Sequence, residues 1–225
     1  MMVPDIFNVQ TSDAPFEKSS SVGAVPDHAE FTGRITLIEP QAGYDKTTTF
    51  TEYAAQIQIQ RRLAQDDRND VIARLPKNLA TSANRSREKL GAQVYNLGFT
   101  YEPTDGDGTE LFASDHPSPV SGVATQSNEG TYGLSAGNVE AVRLAMNEFT
   151  DDIGELISTD PDSLIIPIAL EQTGWEIINS KGKVDTAENN ANFHQGKYKL
   201  IVWKRLSDSN NWTMVDYTMM KQYLI

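Results

Sequence analysis

One long stretch of helical periodicity constrains this chain more than any other feature of its sequence. Between residues 67 and 97, apolar side chains recur at steps of three, four or seven, the spacing of one stripe on an α-helix. The stripe consists of Ile72, Leu75, Leu79, Ala83, Leu90 and Val94. Such a helix would be roughly 45 Å long, which is long for a chain of 225 residues. A rod with one apolar stripe is suited to packing against copies of itself.

Local signals define the two ends of this predicted helix. Gly98 is expected to end it in the left-handed conformation, with Phe99 folding back onto Val94. Pro76 is expected to bend the helix near its first turns, because its nitrogen cannot donate a hydrogen bond to the Ile72 carbonyl. The helix is therefore predicted to bend near its start and to have a defined end.

The first sixty residues lack the composition of an independent core. Residues 1–30 are rich in Ser, Asp and Pro, and they are predicted to form an extended arm ordered only by its neighbours. Residues 31–38 and 50–59 are predicted strands, joined by a turn-rich tip at residues 40–46. Because two strands alone are marginally stable in water, this hairpin is expected to need a second chain.

Beyond the long helix, short helices and strands are mixed. A strand is predicted at residues 111–113 and a mobile polar loop at 121–132. Ser135 is the predicted N-cap of a second helix. The apolar stripe of that helix comprises Val139, Val142, Met146 and Phe149, and Leu134 is expected to staple onto Val139.

The last third of the chain completes an α+β pattern. A buried strand is predicted at 164–166 and a short helix at 169–179. The strongest strand signal lies at 198–203, and residues 212–217 are expected to pair with it as a hairpin.

Charge argues against a protein that grips nucleic acid. The chain carries 31 acidic and 19 basic residues, a net charge of −12. Proteins that bind DNA neutralise its phosphates with Lys and Arg. The one basic concentration lies along the long helix and is interpreted as a solvated or salt-bridged face. It comprises Arg61, Arg62, Arg68, Arg74, Lys77, Arg85, Arg87 and Lys89.

No catalytic, cofactor or metal site is predicted. Ser114, Asp115 and His116 are the three residue types of a catalytic triad, but consecutive residues cannot adopt triad geometry. The three His residues are far apart and there is no Cys, so neither zinc spacing nor disulfides are available. No apolar run is long enough to span a bilayer, so no membrane partner is expected.

The order of the elements and several short motifs resembles the major capsid proteins of tailed bacteriophages, in particular the Mu-like major head subunit group. The matching positions are Phe7, 15–18, 43–47, 66–67, 71–72, 75–76, 79–80, Glu88, Asn96, Phe99, 111–117, 164–167, 170–171, Asn189, Asn192, Gly196 and Trp212. Each motif is short, but their common order covers nearly the whole chain.

This resemblance implies an α+β capsid fold in four parts. They are an N-terminal arm (1–30), an extended hairpin loop (31–60), a peripheral domain with a spine helix (61–122 and 197–225) and an axial domain (123–196). It also implies a major capsid protein that assembles into pentamers and hexamers around double-stranded DNA, without sequence-specific binding. Portal, scaffolding and decoration proteins are the other implied partners. The implied location is the virion, after assembly in the host cytoplasm.

The residues expected to contact other subunits lie on the arm and the hairpin. They are Phe7, Phe16, Tyr44, Lys46 at the hairpin tip, and Phe50, together with the polar loop 121–132. Two other functions stay open at this point. One is another phage head or tail component, or the shell of a capsid-like nanocompartment. The other is a small hydrolase that uses His116 or Asp115.

Overall fold

The computed structural model describes residues 1–28, 30–33, 35, 37–38, 40, 42–65, 71–183 and 190–224. Helices and strands are mixed along the chain, as the sequence predicts. The helices are α1 (Val3–Ile6), α2 (Arg61–Gln65), α3 (Val71–Asn96), α4 (Ala136–Met146), a 3-10 turn (Ile168–Leu170), α5 (Glu171–Asn179) and α6 (Tyr217–Tyr223). The strands are β1 (Phe16–Val22), β2 (Ala42–Thr49), β3 (Ser163–Ile166), β4 (Lys199–Val202) and β5 (Thr213–Val215).

Strand β3 is the centre of the main sheet, whose order is β4-β3-β5. It pairs in parallel with β4, where Ile165 lies opposite Ile201, and antiparallel with β5, where Ile165 lies opposite Thr213. The predicted hairpin between residues 198–203 and 212–217 is therefore wrong. A strand that is buried at every position is most stable in the middle of a sheet, so β3 separates the two elements that were expected to pair.

The two faces of this sheet carry two apolar cores. Because successive residues of a strand point to opposite faces, Ile165 belongs to one core, and Leu164 and Ile166 belong to the other. The first core contains Trp203 and residues of α1 and α3, and the second contains residues of α4 and α5. All four residues of β3 are fully buried.

The buried residues of the long helix α3 lie in its C-terminal part. They are Ala92 and Tyr95, next to the half-buried Gly91, whereas most residues between 73 and 87 are exposed. The predicted start at residues 67–70 lies outside the described residues. The helix continues through Pro76 and ends at Asn96. Its predicted stripe is thus only partly used within one subunit, since Ala83 and Val94 are exposed.

The two ends of the chain pack together on α3. Val3, Ile6 and Phe7 are buried against Tyr95 and Trp203. The Val3 N–H donates to Glu88 Oε1 at 3.2 Å, and Gly91 lets Val3 approach so closely that a Cβ would lie 2.6 Å from Val3 Cγ2. Near the C-terminus, Lys221 Nζ donates to the carbonyls of Pro4 and Phe7. The prediction that all of residues 1–30 form an arm is therefore wrong for the first seven.

The hairpin in the N-terminal region forms in a different register from the predicted one. Strand β1 comes from the predicted arm and pairs antiparallel with β2, which contains the predicted tip. The described residues of 31–38 and all of 50–59 form no strand. Most of their apolar side chains are exposed in the single subunit. An alternating apolar pattern alone therefore does not produce a hydrogen-bonded strand pair. Lys46 lies within β2, opposite Ser19, and not at a tip.

Gly98 follows α3 for a reason other than the predicted one. Its φ is not positive, since it is absent from the left-handed glycines of the described chain. A Cβ at Gly98 would lie 2.7 Å from Phe112 Cδ2. Phe99 also stacks on Phe112, with ring centroids 4.9 Å apart, in place of the predicted contact with Val94. Gly98 therefore provides space for an aromatic ring.

Several local predictions are confirmed. The hydroxyl of Ser135 accepts a hydrogen bond from the Asn138 N–H at 3.2 Å and caps α4, with Leu134 packed on the same core as Val139. Strand β3 and helix α5 lie where the apolar patterns placed them. Helix α6 was not predicted. Asp216 caps it through two backbone N–H groups, those of Thr218 and Met219.

Replacement of Ile6 tests whether the first residues belong to the core. Ile6 is fully buried, so Ile6→Ala should lower the free energy of unfolding by about 2–5 kcal/mol. The same change at Ile35, which is 85% exposed, should alter it by less than about 0.5 kcal/mol. Urea unfolding of the unassembled subunit measures both. Equal effects of the two changes would remove α1 from the core.

Replacement of Gly98 tests the close approach of Phe112. Gly98→Ala should destabilise the subunit by about 1–3 kcal/mol through steric overlap. The matched control is Gly137→Ala in α4, where a Cβ would meet nothing within 4 Å. That control should be neutral or stabilising by up to about 1 kcal/mol. Phe112→Leu combined with Gly98→Ala should recover part of the loss, and thermal unfolding of the three variants is the measurement.

Candidate assembly surface

The β1–β2 hairpin lies on the surface and has almost no core beneath it. Every residue of β1 is exposed, and β2 is exposed except at Gly43 and Tyr44. Lys18 Nζ lies 3.1 Å from Asp45 Oδ2 across the two strands. Hydrogen bonding from Ser20, and then the Lys18 ammonium, lower the pKa of Asp45. An exposed ion pair of this kind adds little stability, so the hairpin depends on its attachment to the body.

That attachment is made by the loop 105–118. The Thr47 N–H donates to Asp105 Oδ2 at 2.6 Å, and the Gly106 N–H donates to the Asp45 carbonyl at 3.1 Å. The Tyr44 hydroxyl donates to the Pro117 carbonyl at 3.1 Å. The edge of β2 is therefore bonded to both ends of one loop, which fixes the direction in which the hairpin projects.

An Asp107–His116 pair holds the anchoring loop in shape. His116 Nδ1 lies 2.6 Å from Asp107 Oδ2, and the Thr109 hydroxyl donates to the same oxygen at 2.8 Å. Burial alone would raise the pKa of Asp107, but the hydrogen bonds from His116 and Thr109 outweigh it and lower that pKa. Burial, and then the charge of Asp107, raise the pKa of Tyr44. The charged form of Asp107 is thus part of the anchor.

Amide side chains order the polar loop 121–132, which was predicted to be mobile. Gln126 and His116 exchange two backbone hydrogen bonds of 2.9 and 3.0 Å. Asn128 accepts from the Ala113 N–H and donates to the Leu111 carbonyl, both at 2.8 Å. This side chain bonds the backbone of residues 111–113 as a neighbouring strand would, and the predicted strand there is not formed.

The five predicted contact residues lie in three different environments. Phe16 and Phe50 flank the hairpin and are 53% and 51% exposed. Lys46 is exposed, and Tyr44 is half-buried against the anchoring loop. Phe7 is 9% exposed, within 6.5 Å of the rings of both Tyr95 and Trp203. Phe7 is therefore a core residue of its own subunit, because the chain termini pack on α3.

The geometry gives no support to a hydrolase centred on His116. Its carboxylate partner is Asp107 and not Asp115, which is exposed. The other ring nitrogen, Nε2, is buried without a hydrogen-bond partner, so no nucleophilic hydroxyl is positioned on it as a triad requires.

The described part of the chain contains no cluster of His, Asp or Glu suited to a metal ion. None of the helices described combines the length and apolar character that a bilayer-spanning segment needs.

Sequence reasoning missed the residues that anchor the hairpin, Asp105, Asp107, Gln126 and Asn128. One signal was available: Asp105, Gly106, Asp107 and Gly108 form a repeated Asp-Gly pair, and both glycines adopt positive φ. It predicts a tight turn with inward-facing carboxylates, but it does not indicate which distant strand the turn binds.

Solved structures share this arrangement of helices and strands. A chain of the bacteriophage JBD30 capsid aligns with a TM-score of 0.73 at 15% identity, covering 92% of this chain and 91% of that chain. The JBD30 capsid decorated with minor capsid protein trimers gives 0.72 at 15% identity, with 91% and 90% covered. The JBD30 procapsid gives 0.63 at 17% identity, with 89% and 90% covered. The protein therefore has the α+β fold of a tailed-phage capsid subunit.

Sequence comparison gives the family. The family model described as "Phage capsid protein" matches residues 43–224, which is most of the chain. No curated protein is significantly similar in sequence. The chain belongs to the phage capsid protein family, and it is a major capsid protein, a structural component of the phage head. The match does not separate the Mu-like group from others, so that narrower assignment stays a prediction.

Replacement of Asp107 tests the anchoring pair. Asp107→Asn should destabilise the subunit by about 1–3 kcal/mol at neutral pH, because hydrogen bonds to a charged group are lost. The folded pKa of Asp107 lies below its usual 3.8. Its contribution is therefore present above the unfolded pKa and is lost as the pH falls through the folded pKa.

The variant should consequently lose less stability than the natural chain between about pH 5 and pH 2. Unfolding free energies across that range provide the measurement, with Asp115→Asn as the control at an exposed carboxylate. A parallel pH profile for Asp107→Asn and the natural chain would contradict the role given to Asp107.

Proposed function

We propose that this capsid protein assembles into pentamers and hexamers that close an icosahedral head around double-stranded DNA. The observation that carries the proposal is the surface of one subunit. Its accessible area is 15963 Å² at a mass of 24.9 kDa, whereas a compact monomer of that mass exposes roughly 10,000 Å². The excess of roughly 5,000–6,000 Å² is several times the roughly 800 Å² that a standard interface buries on each partner.

The exposed apolar residues indicate where neighbouring copies would lie. The large side chains of residues 31–59 that are about 40% or more exposed include Phe31, Ile35, Leu37, Phe50, Tyr53 and Ile57. Burial of each such side chain is worth about 1.5–3 kcal/mol. Large exposed apolar side chains concentrated in one stretch of the chain are typical of an interaction site. We infer that Phe16, Tyr44, Lys46 and Phe50 contact other copies, and that Phe7 does not.

The proposal also assigns the peripheral and axial parts of the subunit to segments of the chain. Residues 61–122 and 197–225 would form the peripheral part with the spine helix α3, and residues 123–196 the axial part. These two parts share one sheet, because β3 of the axial segment lies between β4 and β5 of the peripheral segment. The arm and hairpin loop also share a ladder, since β1 pairs with β2. Movement of one part would therefore be transmitted directly to the other.

Charge supports a wall that encloses DNA without holding it. With a net charge of −12 per copy, the shell repels phosphates over most of its surface. Assembly in the host cytoplasm, partnership with portal, scaffolding and decoration proteins, and the lack of any catalytic activity are parts of the same proposal.

Replacement of Phe50 tests the assembly function. Phe50→Asp places a charge where an apolar contact is expected, so it should abolish particles or raise the assembly concentration by about tenfold or more. Phe50→Leu keeps the apolar surface and should assemble like the natural chain. Gel filtration and negative-stain microscopy measure the particles, and thermal unfolding shows whether the subunit still folds. Normal particles from Phe50→Asp would contradict this contact.

A further inference from the structure

An apolar groove lies between the end of α4, strand β5 and the loop 127–133. Its volume is about 590 Å³, and Phe112, Met146 and Phe149 line it together with the start of α6. Ligand pockets commonly have volumes of about 300–1,000 Å³. An adjoining depression of about 850 Å³ shares Phe99, Phe112 and Tyr132 with it. Together they form an open channel that can hold an extended segment.

The lining of the groove is suited to apolar side chains of varied shape. It contains four of the six methionines in the chain, Met146, Met214, Met219 and Met220. Thioether side chains are flexible and polarizable, so they adapt to different apolar partners and recur at surfaces that bind peptides. The Trp212 indole donates to the Tyr132 carbonyl at 2.7 Å and fixes the loop wall in place. The loop wall of the groove is thus fixed by a hydrogen bond, whereas its methionine side chains can adjust to an occupant.

The charges around the groove are all of one sign. Glu129 and Asp216 line the groove, and Asp208 and Glu129 line the adjoining depression. No Lys or Arg is among the described residues that line either of them. An occupant with an apolar stripe and a basic end would complement this surface.

One segment of the same chain has this combination. Between residues 53 and 62, Tyr53, Ile57 and Ile59 are 68%, 40% and 37% exposed and alternate with Gln side chains. Residues 53–60 have no regular secondary structure, and the segment ends at Arg61 and Arg62, the first two residues of α2, both exposed. A second apolar segment, residues 31–38, contains one basic residue, Arg34, and is flanked in the sequence by Glu30 and Glu39. An acidic rim favours the first segment, which has two basic residues and no acidic one, over the second, whose single Arg lies between two Glu residues.

We propose that the groove of one subunit binds residues 53–62 of a second copy. Tyr53, Ile57 and Ile59 point into the apolar lining, because alternate residues of an extended chain face the same side. Arg61 and Arg62 then lie against Glu129 and Asp208. This inference rests on the proposed assembly function and identifies one pair of surfaces within it.

The absence of cysteine from the chain permits a direct test. Ile57→Cys and Thr131→Cys are made in separate chains, one carrying a tag that changes its mass, and the two are assembled together and treated with a short bis-maleimide. A covalent mixed dimer is expected, and it can arise only between copies. Mixing Ile35→Cys with Thr131→Cys is the matched control and should give at least about tenfold less mixed dimer. A mixed dimer that forms mainly through Ile35 would overturn the proposal.

Charge reversal provides the second measurement. Arg61→Glu combined with Arg62→Glu should raise the assembly concentration by about tenfold, because like charges would then face each other. Addition of Glu129→Arg and Asp208→Arg to the same chain should restore most of the loss. Failure of this rescue, in subunits that unfold at the normal temperature, would overturn the pairing.

The two levels of the proposal fail in different ways. If the natural chain forms particles but Ile57→Cys and Thr131→Cys give no mixed dimer, the groove has another occupant and this inference is wrong, while the assembly function stands. If a chain carrying both cysteines links only within itself, the segment binds its own groove and the inference is also wrong. If the natural chain forms no particles under any condition tried, the assembly function itself is wrong.

Discussion

Burial of strand β3 on both faces is the constraint on which the rest of the subunit depends. Its three apolar residues are inaccessible to water, so helices must cover both sides of the sheet. Helices α4 and α5 cover one side, and the C-terminal part of α3 with α1 covers the other. The remaining part of α3 then projects beyond the core. A short buried strand thereby determines where the long helix is supported and where it is exposed.

The anchoring loop 105–118 connects this rigid body to the hairpin. Backbone groups of β2 bond to it through Asp105 and Gly106, and the hydrogen-bonded pair of Asp107 and His116 keeps the loop folded. The hairpin therefore has a defined direction although almost nothing packs beneath it. This arrangement suits a part that must reach a neighbouring copy before any contact with it exists.

The basic side chains of this acidic subunit are concentrated on the surface of α2 and α3. The chain is strongly acidic, yet the exposed side chains of α2 and α3 include seven Lys and Arg residues between Arg61 and Lys89. Within the part of the chain that is described, no ion pair joins them to a carboxylate. The described basic side chains are therefore exposed and without a carboxylate partner among the described residues, which is consistent with a solvated face. Copies with this distribution attract one another where the basic helix surface meets an acidic one.

The sequence by itself determined the elements whose signals are local. Periodicity located α3, the Ser135 hydroxyl located the start of α4, and an all-apolar run located β3, because each depends on residues close together in the chain. Only the tertiary structure decided the pairing of β4 with β3, the packing of Phe7 in the core and the use of Gly98 as space for Phe112. These outcomes depend on residues that are more than ten positions apart in the chain. Whether such a residue is buried depends on where the folded chain places the residues that pack against it. Alternation at residues 50–59 predicted a strand that the single subunit does not form, since a ladder also requires a neighbour with free backbone groups.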